Sequence, residues 1–218
     1  MKKILVVLWA VTAFCGYGWA SPLVVINEFL ADPPAGPLGD ANQDGIRSAS
    51  DDEFVELLNI GATDVDLGLW SLWDSAALRH QFQLPVLLHP QERLAVFGGG
   101  NLINFQALAF VASSGSLNLN NSGDGVILKN ALGNIVDSAF FGTEGNRDQS
   151  LTRFPEGGGS FQLHASISSR GLPFSPGTDI EGNRSGNHPV VPEPNSSLIV
   201  LAGLFILGEK LRRRLKSE

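Results

Sequence analysis

The residues most able to do chemistry stand close together near the start of the chain. Asp40-Ala41-Asn42-Gln43-Asp44-Gly45 places an oxygen-bearing side chain at every second position and then a glycine. This is the opening of the D-x-[DN]-x-[DN]-G pattern that wraps a hard divalent cation. Ca²⁺ takes six to eight oxygens, so such a loop must aim several side chains at one centre and turn sharply. With Asp40 at position 1, Asn42 and Asp44 supply the next two oxygens, Ile46 a backbone carbonyl, Ser48 a hydroxyl or a bridging water, and Asp51 the closing carboxylate. Asp52 and Glu53 stand beside Asp51 as substitutes. The expectation is structural Ca²⁺ held by Asp40, Asn42, Asp44, Ile46, Ser48 and Asp51, with affinity on the order of the 10⁻⁴–10⁻³ M of extracellular modules. A solvated acidic loop rich in turn residues is the competing reading.

Elsewhere the chemistry is thin. The sequence carries no G-x-S-x-G elbow, phosphate-binding G-x-x-x-x-G-K-[ST] loop or H-E-x-x-H pair. His80, His89, His164 and His188 are widely spread and flanked by strand or turn residues. Glu28 and Glu56 lie on different predicted strands that could bring them together, and a carboxylate pair can hydrolyse glycosides. Outward acidic residues on alternating strands are nevertheless ordinary, so no catalytic residue is assigned and the expectation is a non-enzyme. Trp70 and Trp73 are three apart, which in a strand puts them on opposite faces. One fills the core on that reading, and the other could stack on sugar rings.

Charge and cysteine usage narrow the partners. Between Ser21 and Val191 there are 8 basic and 19 acidic residues, a net of −11. So negative a surface repels phosphate backbones and argues against nucleic acid. The single cysteine, Cys15, leaves no intramolecular disulfide and no thiolate zinc site. Gly and Pro together make 37 residues, a share above the usual ~12% and suited to a turn-rich β protein.

The elements that must carry these residues read as short strands. Val24 to Leu30, Phe54 to Leu58, Trp70 to Trp73, His80 to Leu84, Arg93 to Phe97, Leu117 to Leu119, Val126 to Lys129, Ile135 to Phe140 and Ser150 to Phe154 are β-rich runs between turn clusters. Asn130 to Asn134 has the length of a five-residue hairpin loop. With no long 3.6-residue period, the pattern predicts an all-β sandwich or barrel over 21–176, and a Gly-, Pro-, Ser- and Asn-rich linker over 177–190.

The two ends read as addresses. In residues 1–20, Lys2 and Lys3 precede an apolar run from Ile4 to Phe14, and Gly18-Trp19-Ala20 fits a cleavage site between Ala20 and Ser21. This is a signal peptide, with signal peptidase as its partner. In residues 191–218, Pro192-Glu193-Pro194 is followed by an apolar run from Leu198 to Leu207 and by Lys210, Arg212, Arg213, Arg214 and Lys216. The run implies a short C-terminal membrane helix whose cationic end stays cytoplasmic.

Three resemblances follow from these residues. The loop at 40–51 is similar to dockerin-type calcium loops, where Asp closes the site. Val191 to Glu218 resembles the PEP-CTERM sorting signal of bacteria. That resemblance implies an exosortase-like membrane enzyme acting near Pro192-Glu193-Pro194, and cargo tied to the cell envelope and exopolysaccharide of a Gram-negative bacterium. Val25-Ile26-Asn27-Glu28, Glu53 to Leu57 with Asn59 and Gly61, Leu67 to Leu72, Leu84 to Gly98, Asn121 to Asp124, Gly133 to Asp137 and Ser150 to Arg153 resemble the lamin tail domain in their order. This implies an immunoglobulin-like β-sandwich without general catalytic activity. The combined expectation is an exported structural or adhesive protein at the cell surface or in the matrix, in contact with other surface proteins. An exopolysaccharide-binding module and a secreted carboxylate- or metal-dependent hydrolase stand as alternatives.

Overall fold

The computed structural model describes residues 24–184. The expected signal peptide, the cleavage site at Ala20 and Ser21, the sorting residues, the C-terminal membrane helix and His188 all lie outside the described residues. Within them no helix is long and apolar enough to cross a membrane.

Twelve strands and one short helix follow in chain order: β1 (Val24–Leu30), β2 (Phe54–Asn59), β3 (Val65–Asp66), β4 (Ser71–Trp73), β5 (Leu78–Gln81), β6 (Leu87–Leu88), β7 (Arg93–Phe97), β8 (Leu108–Val111), β9 (Asp124–Lys129), β10 (Ile135–Phe141), β11 (Leu151–Phe154), β12 (Ser160–Leu163) and α1 (His164–Ile167). A six-stranded sheet runs β12-β11-β1-β2-β7-β8, and a four-stranded sheet runs β10-β9-β4-β5. Strands β3 and β6 form a small separate pair. All pairings are antiparallel except β7 with β8. The architecture is mostly β, as the strand pattern predicts.

Alternation decides what each sheet buries. Val24, Ile26 and Phe29 of β1, Val55 and Leu57 of β2, and Leu94 and Val96 of β7 face Leu72, Val126, Leu128 and Ala139 of the smaller sheet. Phe29 anchors this core, with ring centroids 5.0 Å from Phe141 and 5.1 Å from Phe161. The opposite face of the six-stranded sheet is also covered. Leu30, Phe54, Ala95, Phe97, Phe105 and Ala109 form a second apolar cluster with Phe174 packed against it. Hence every residue of β1, β2 and β7 is buried.

A bulge interrupts the β1–β2 ladder between Ile26 and Glu28. Strand β11 pairs with β1 only at Glu28 and Phe29, so the backbone of Ile26 needs other partners. It finds them in side chains. Ile26 N–H donates to Asp137 Oδ2 at 2.8 Å, and Arg153 Nε donates to its carbonyl at 2.8 Å. Arg153 also donates through Nη2 to both oxygens of Asp137, at 3.1 and 3.0 Å. Asp137 lies on β10 and Arg153 on β11, so one ion pair both completes a ladder and ties the two sheets together.

Several expectations need correction. Leu117 to Leu119 is a loop, not a strand; Asn118 adopts φ 53° while Leu117 and Leu119 drop into the core. Strand β5 stops at Gln81 rather than Leu84. Strands β8 and β12 were not anticipated; Leu108-Ala109-Phe110-Val111 is a continuous apolar run with no alternation to mark it. Of the stretch read as linker over 177–190, residues 177–184 are described; it is held to the body as far as Ile180, and residues 182–184 are exposed. Gly177 N–H donates into the sheet at 2.7 Å, Ile180 is buried, and Asp179 Oδ1 accepts from Glu181 and Asn183. Its composition suits a flexible chain, but Gly177 supplies the backbone donor to Glu56 Oε2.

Candidate functional site

The two glutamates expected on separate strands are direct cross-strand partners in β1 and β2. They point to the outer face of the large sheet, and both are fully buried. Burial is possible because the residues after β12 fold back over them. Glu28 Oε1 accepts from Ser150 Oγ at 2.6 Å and from Ser175 N–H at 2.9 Å. Its Oε2 accepts from Ser175 Oγ at 2.9 Å. Glu56 Oε1 accepts from Asn27 Nδ2 at 2.9 Å, and its Oε2 from Gly177 N–H at 2.7 Å. Asn27 is the bulge residue; its Oδ1 accepts from Gly157 N–H at 2.8 Å, so the bulge aims an amide at the carboxylate next door.

Basic side chains flank the pair. Arg93 Nε lies 3.6 Å from Glu56 Oε1, and Arg93 Nη2 lies 2.8 Å from Glu156 Oε1. His164 Nε2 lies 4.0 Å from Glu28 Oε2. Burial, and then the neighbouring Glu28 charge, push the Glu56 carboxyl well above its ordinary range, against the pull of Arg93, Asn27 and Gly177.

Glu28, Ser175 and His164 also form a line. Ser175 Oγ is 2.8 Å from His164 Nε2, and His164 Nδ1 donates to the Leu172 carbonyl at 2.8 Å. The hydroxyl sits in the middle. A nucleophilic triad needs the imidazole between hydroxyl and acid, and the second ring nitrogen here is taken by a carbonyl. Ser175, His164 and Glu28 are all buried. The chemistry this geometry performs is to hold the chain near residue 175 against the sheet.

The acidic loop is built from its own hydrogen bonds. Asp40 accepts from Asp44 N–H at 3.1 Å and Gly45 N–H at 2.9 Å. Asn42 Oδ1 accepts from Asp44 N–H at 3.0 Å, and Asp44 Oδ1 from Ile46 N–H at 2.8 Å. Asp44 Oδ2 accepts from Asn101 N–H at 3.1 Å. The Ile46 side chain is exposed, and Ser48 Oγ accepts from Asp51 N–H at 3.1 Å. Asp52, not Asp51, turns inward: it is fully buried and accepts from Asn42 N–H at 3.1 Å and Ser48 N–H at 2.7 Å. Asp51 instead lies against Gly99 and takes Ser50 Oγ at 3.3 Å. Among the described residues, no group of three or more His, Cys, Asp or Glu side chains is arranged to hold a metal.

The Gly98-Gly99-Gly100 run makes the close approach of this loop possible. A Cβ on Gly98 would lie 1.9 Å from the Ser50 carbonyl, one on Gly99 2.5 Å from Asp51 Oδ1, and one on Gly100 2.1 Å from Asn42 Nδ2. The sequence marks these glycines only as a turn. Their steric role appears once the loop is seen against them.

Glu53 was a substitute ligand on the sequence pattern, but it faces away from the loop. It is buried, and its Oε2 accepts from Leu119 N–H at 3.2 Å. Burial raises its carboxyl from the ordinary 4.5 to about 8. The remaining candidates are structural. His80 is buried on β5 and accepts from Ser113 N–H at 3.2 Å, while His89 pairs with Asp64 at 2.9 Å on the surface. Trp70 packs against the main core. Trp73 is half-buried, with Lys129 Nζ 3.9 Å from its ring centroid.

The described residues define a mostly β module of several sheets with a sealed carboxylate pair on the outer face of the largest. Residues 20–143 match the lamin tail domain, and the chain belongs to that family. A comparison with curated proteins finds no match. The match ends before β11, whereas Ser150, His164, Ser175 and Gly177 all lie beyond it.

Glu53 sets a pH dependence. It binds its proton in the folded state up to about pH 8, but in the unfolded state only up to about 4.5. Its stabilising contribution is therefore complete below pH 4.5 and is lost as pH rises through 8. The raised Glu56 acts in the same direction. Urea midpoints are expected to fall between pH 5 and pH 9, with Glu53 alone contributing on the order of 4 kcal/mol across its window. Glu53→Gln flattens the profile; a mutant that tracks the wild type removes Glu53 as the cause.

Proposed function

We propose that this chain is an exported, non-catalytic structural or adhesive module held at the bacterial cell envelope. The observation that carries the reading is the sealing of Glu28 and Glu56. Both carboxylates are fully buried, and every oxygen accepts from a serine, an asparagine or a backbone N–H, so the acids with the best sequence claim to hydrolysis serve the fold. This weighs against the hydrolase alternative, and family membership supports a binding or spacer role. The ends supply the address: signal peptidase acts between Ala20 and Ser21, and an exosortase-like enzyme reads Pro192-Glu193-Pro194, the apolar run and Arg212, Arg213 and Arg214. Mass spectrometry of the protein recovered from a native envelope fraction is expected to read Ser21 as the first residue. Recovery from the cytosol with Met1 retained would overturn the export reading.

Calcium is part of the proposal. A bound ion would draw on Asp40, Asn42, Asp44 and the Ile46 carbonyl, whose oxygens have lone pairs beyond those used by the N–H donors. Two carboxylates and an amide make a weak site; Ser48 and Asp51 complete the set expected from the sequence, with Ser48 Oγ accepting from Asp51 N–H. Millimolar Ca²⁺ is expected to raise the melting temperature relative to chelator, and Asp44→Ala to abolish the rise. Equal melting with and without Ca²⁺ in the wild type would remove the ion.

One observation favours exopolysaccharide binding as a second reading. Phe140 is 70% exposed on the outer face of the four-stranded sheet, and its ring occupies the space above Gly125, where a Cβ would lie 2.6 Å from Cε1. The ring is braced on one side, leaving an aromatic surface of the kind that stacks on sugars. On this reading Phe140→Ala weakens retention in a polysaccharide-containing gel about tenfold without lowering the melting temperature. Unchanged retention would discard it.

A further inference from the structure

An open groove of about 900 Å³ is lined by residues of strands β5 and β8 and of the segments that adjoin them. Phe82, Leu102, Ile103, Phe105 and Phe110 are among its walls, and none of its lining residues is Asp, Glu, Lys or Arg. Strand β8 ends the six-stranded sheet, so its outer edge has no strand partner among the described residues. No proline or lysine protects that edge; its sequence is Leu-Ala-Phe-Val. Ile103 is 82% exposed and Leu84 55%. A surface this apolar, in a body this acidic, calls for a cover.

We infer that the groove is the docking site for the chain's own apolar segment Leu198–Leu207 when that segment is in water rather than in a membrane. Three observations select this occupant. First, the chain returns to the groove before it leaves the described structure: Gly177 sits against Ala107 and the Phe105 ring, and Phe174 packs beside Phe105. At no more than about 3.5 Å per residue, the stretch from Arg184 to Leu198 reaches up to roughly 45 Å, beyond the width of a domain this size. Second, the segment has no charged residue, as the uncharged lining requires.

Third, the charges on either side are complementary. Lys210, Arg212, Arg213, Arg214 and Lys216 follow the apolar run. Gly100 and Asn101 are among the lining residues, and Asp44 accepts from Asn101 N–H there, with Asp40 and Asp51 in the same loop. A basic end placed beyond the apolar run meets this acidic loop. A second copy of the body would instead bring another net-acidic surface to the same rim. The inference needs only the groove and the apolar segment; it does not rest on export, sorting or calcium.

The test uses the full chain carrying Cys15→Ser, Ile103→Cys and Leu204→Cys, oxidised at micromolar concentration without detergent or lipid. Tethering gives the segment a local concentration near millimolar in both pairs, and docking adds proximity to Ile103 alone, so an intramolecular 103–204 disulfide is expected at about tenfold or more the yield of a control pair, Leu132→Cys with Leu204→Cys. Leu132 is 85% exposed in the β9–β10 turn, and β10 is the opposite edge of that sheet from β5. Equal yields, or no disulfide from either pair, overturn the inference. Products joining two chains overturn it in favour of a second copy. As an independent readout, Leu201→Asp with Ile206→Asp in the otherwise unaltered chain is expected to raise the fluorescence of added N-phenyl-1-naphthylamine by vacating the groove. Unchanged or lower fluorescence overturns the inference without bearing on export.

Discussion

Two carboxylates lie side by side with no water to solvate them, and much of the fold answers to that constraint. Glu28 and Glu56 occupy neighbouring positions on adjacent strands and are fully buried. Burying an unpaired charge is among the costliest things a fold can do. Each oxygen must therefore meet a donor, and the donors come from far along the chain: Ser150 and Ser175 for one acid, Asn27 and Gly177 for the other. The β1 bulge, the position of Arg93 and the return of the chain after α1 all serve this arrangement.

The same logic explains the second apolar layer. A sheet with one wet face would leave Leu30, Phe54 and Phe97 in water. Instead Phe105 and Phe174 close over them, with Phe97 and Phe105 ring centroids 4.9 Å apart. The segment carrying Phe174 is the one that also delivers Ser175 and Gly177 to the glutamates. Apolar burial and polar satisfaction are thus achieved by one stretch of chain.

How much of this is legible in the sequence depends on range. Strands rich in β-branched or aromatic residues and bounded by turn signals, such as Val24–Leu30, Arg93–Phe97 and the hairpin around Asn130–Asn134, are marked locally. Strand β8 is not, because a strand of four apolar residues looks like any buried run. The proximity of Glu28 and Glu56 is readable as a possibility, but its meaning is not: whether paired acids are open or sealed depends on donors more than a hundred residues away. Residues 177–184 mislead for the same reason. Gly, Asp and Asn there suit a free linker, and it takes the Glu56 beneath to make the Gly177 N–H structural. The loop at Asp40 is legible as a turn, but the choice of Asp52 over Asp51 as its inward acid depends on packing against three glycines at 98–100.

The order of attachment along the chain has a mechanical side. Whatever follows Arg184 is joined to the sandwich through residues 173–184, and these are held to it by hydrogen bonds to Glu28 and Glu56, by Phe174 against the second apolar cluster and by the buried Ile180. Tension applied from that end therefore meets this strap before the β1–β2 ladder beneath it, and the contacts it loads there are the ones that keep Glu28 and Glu56 from water.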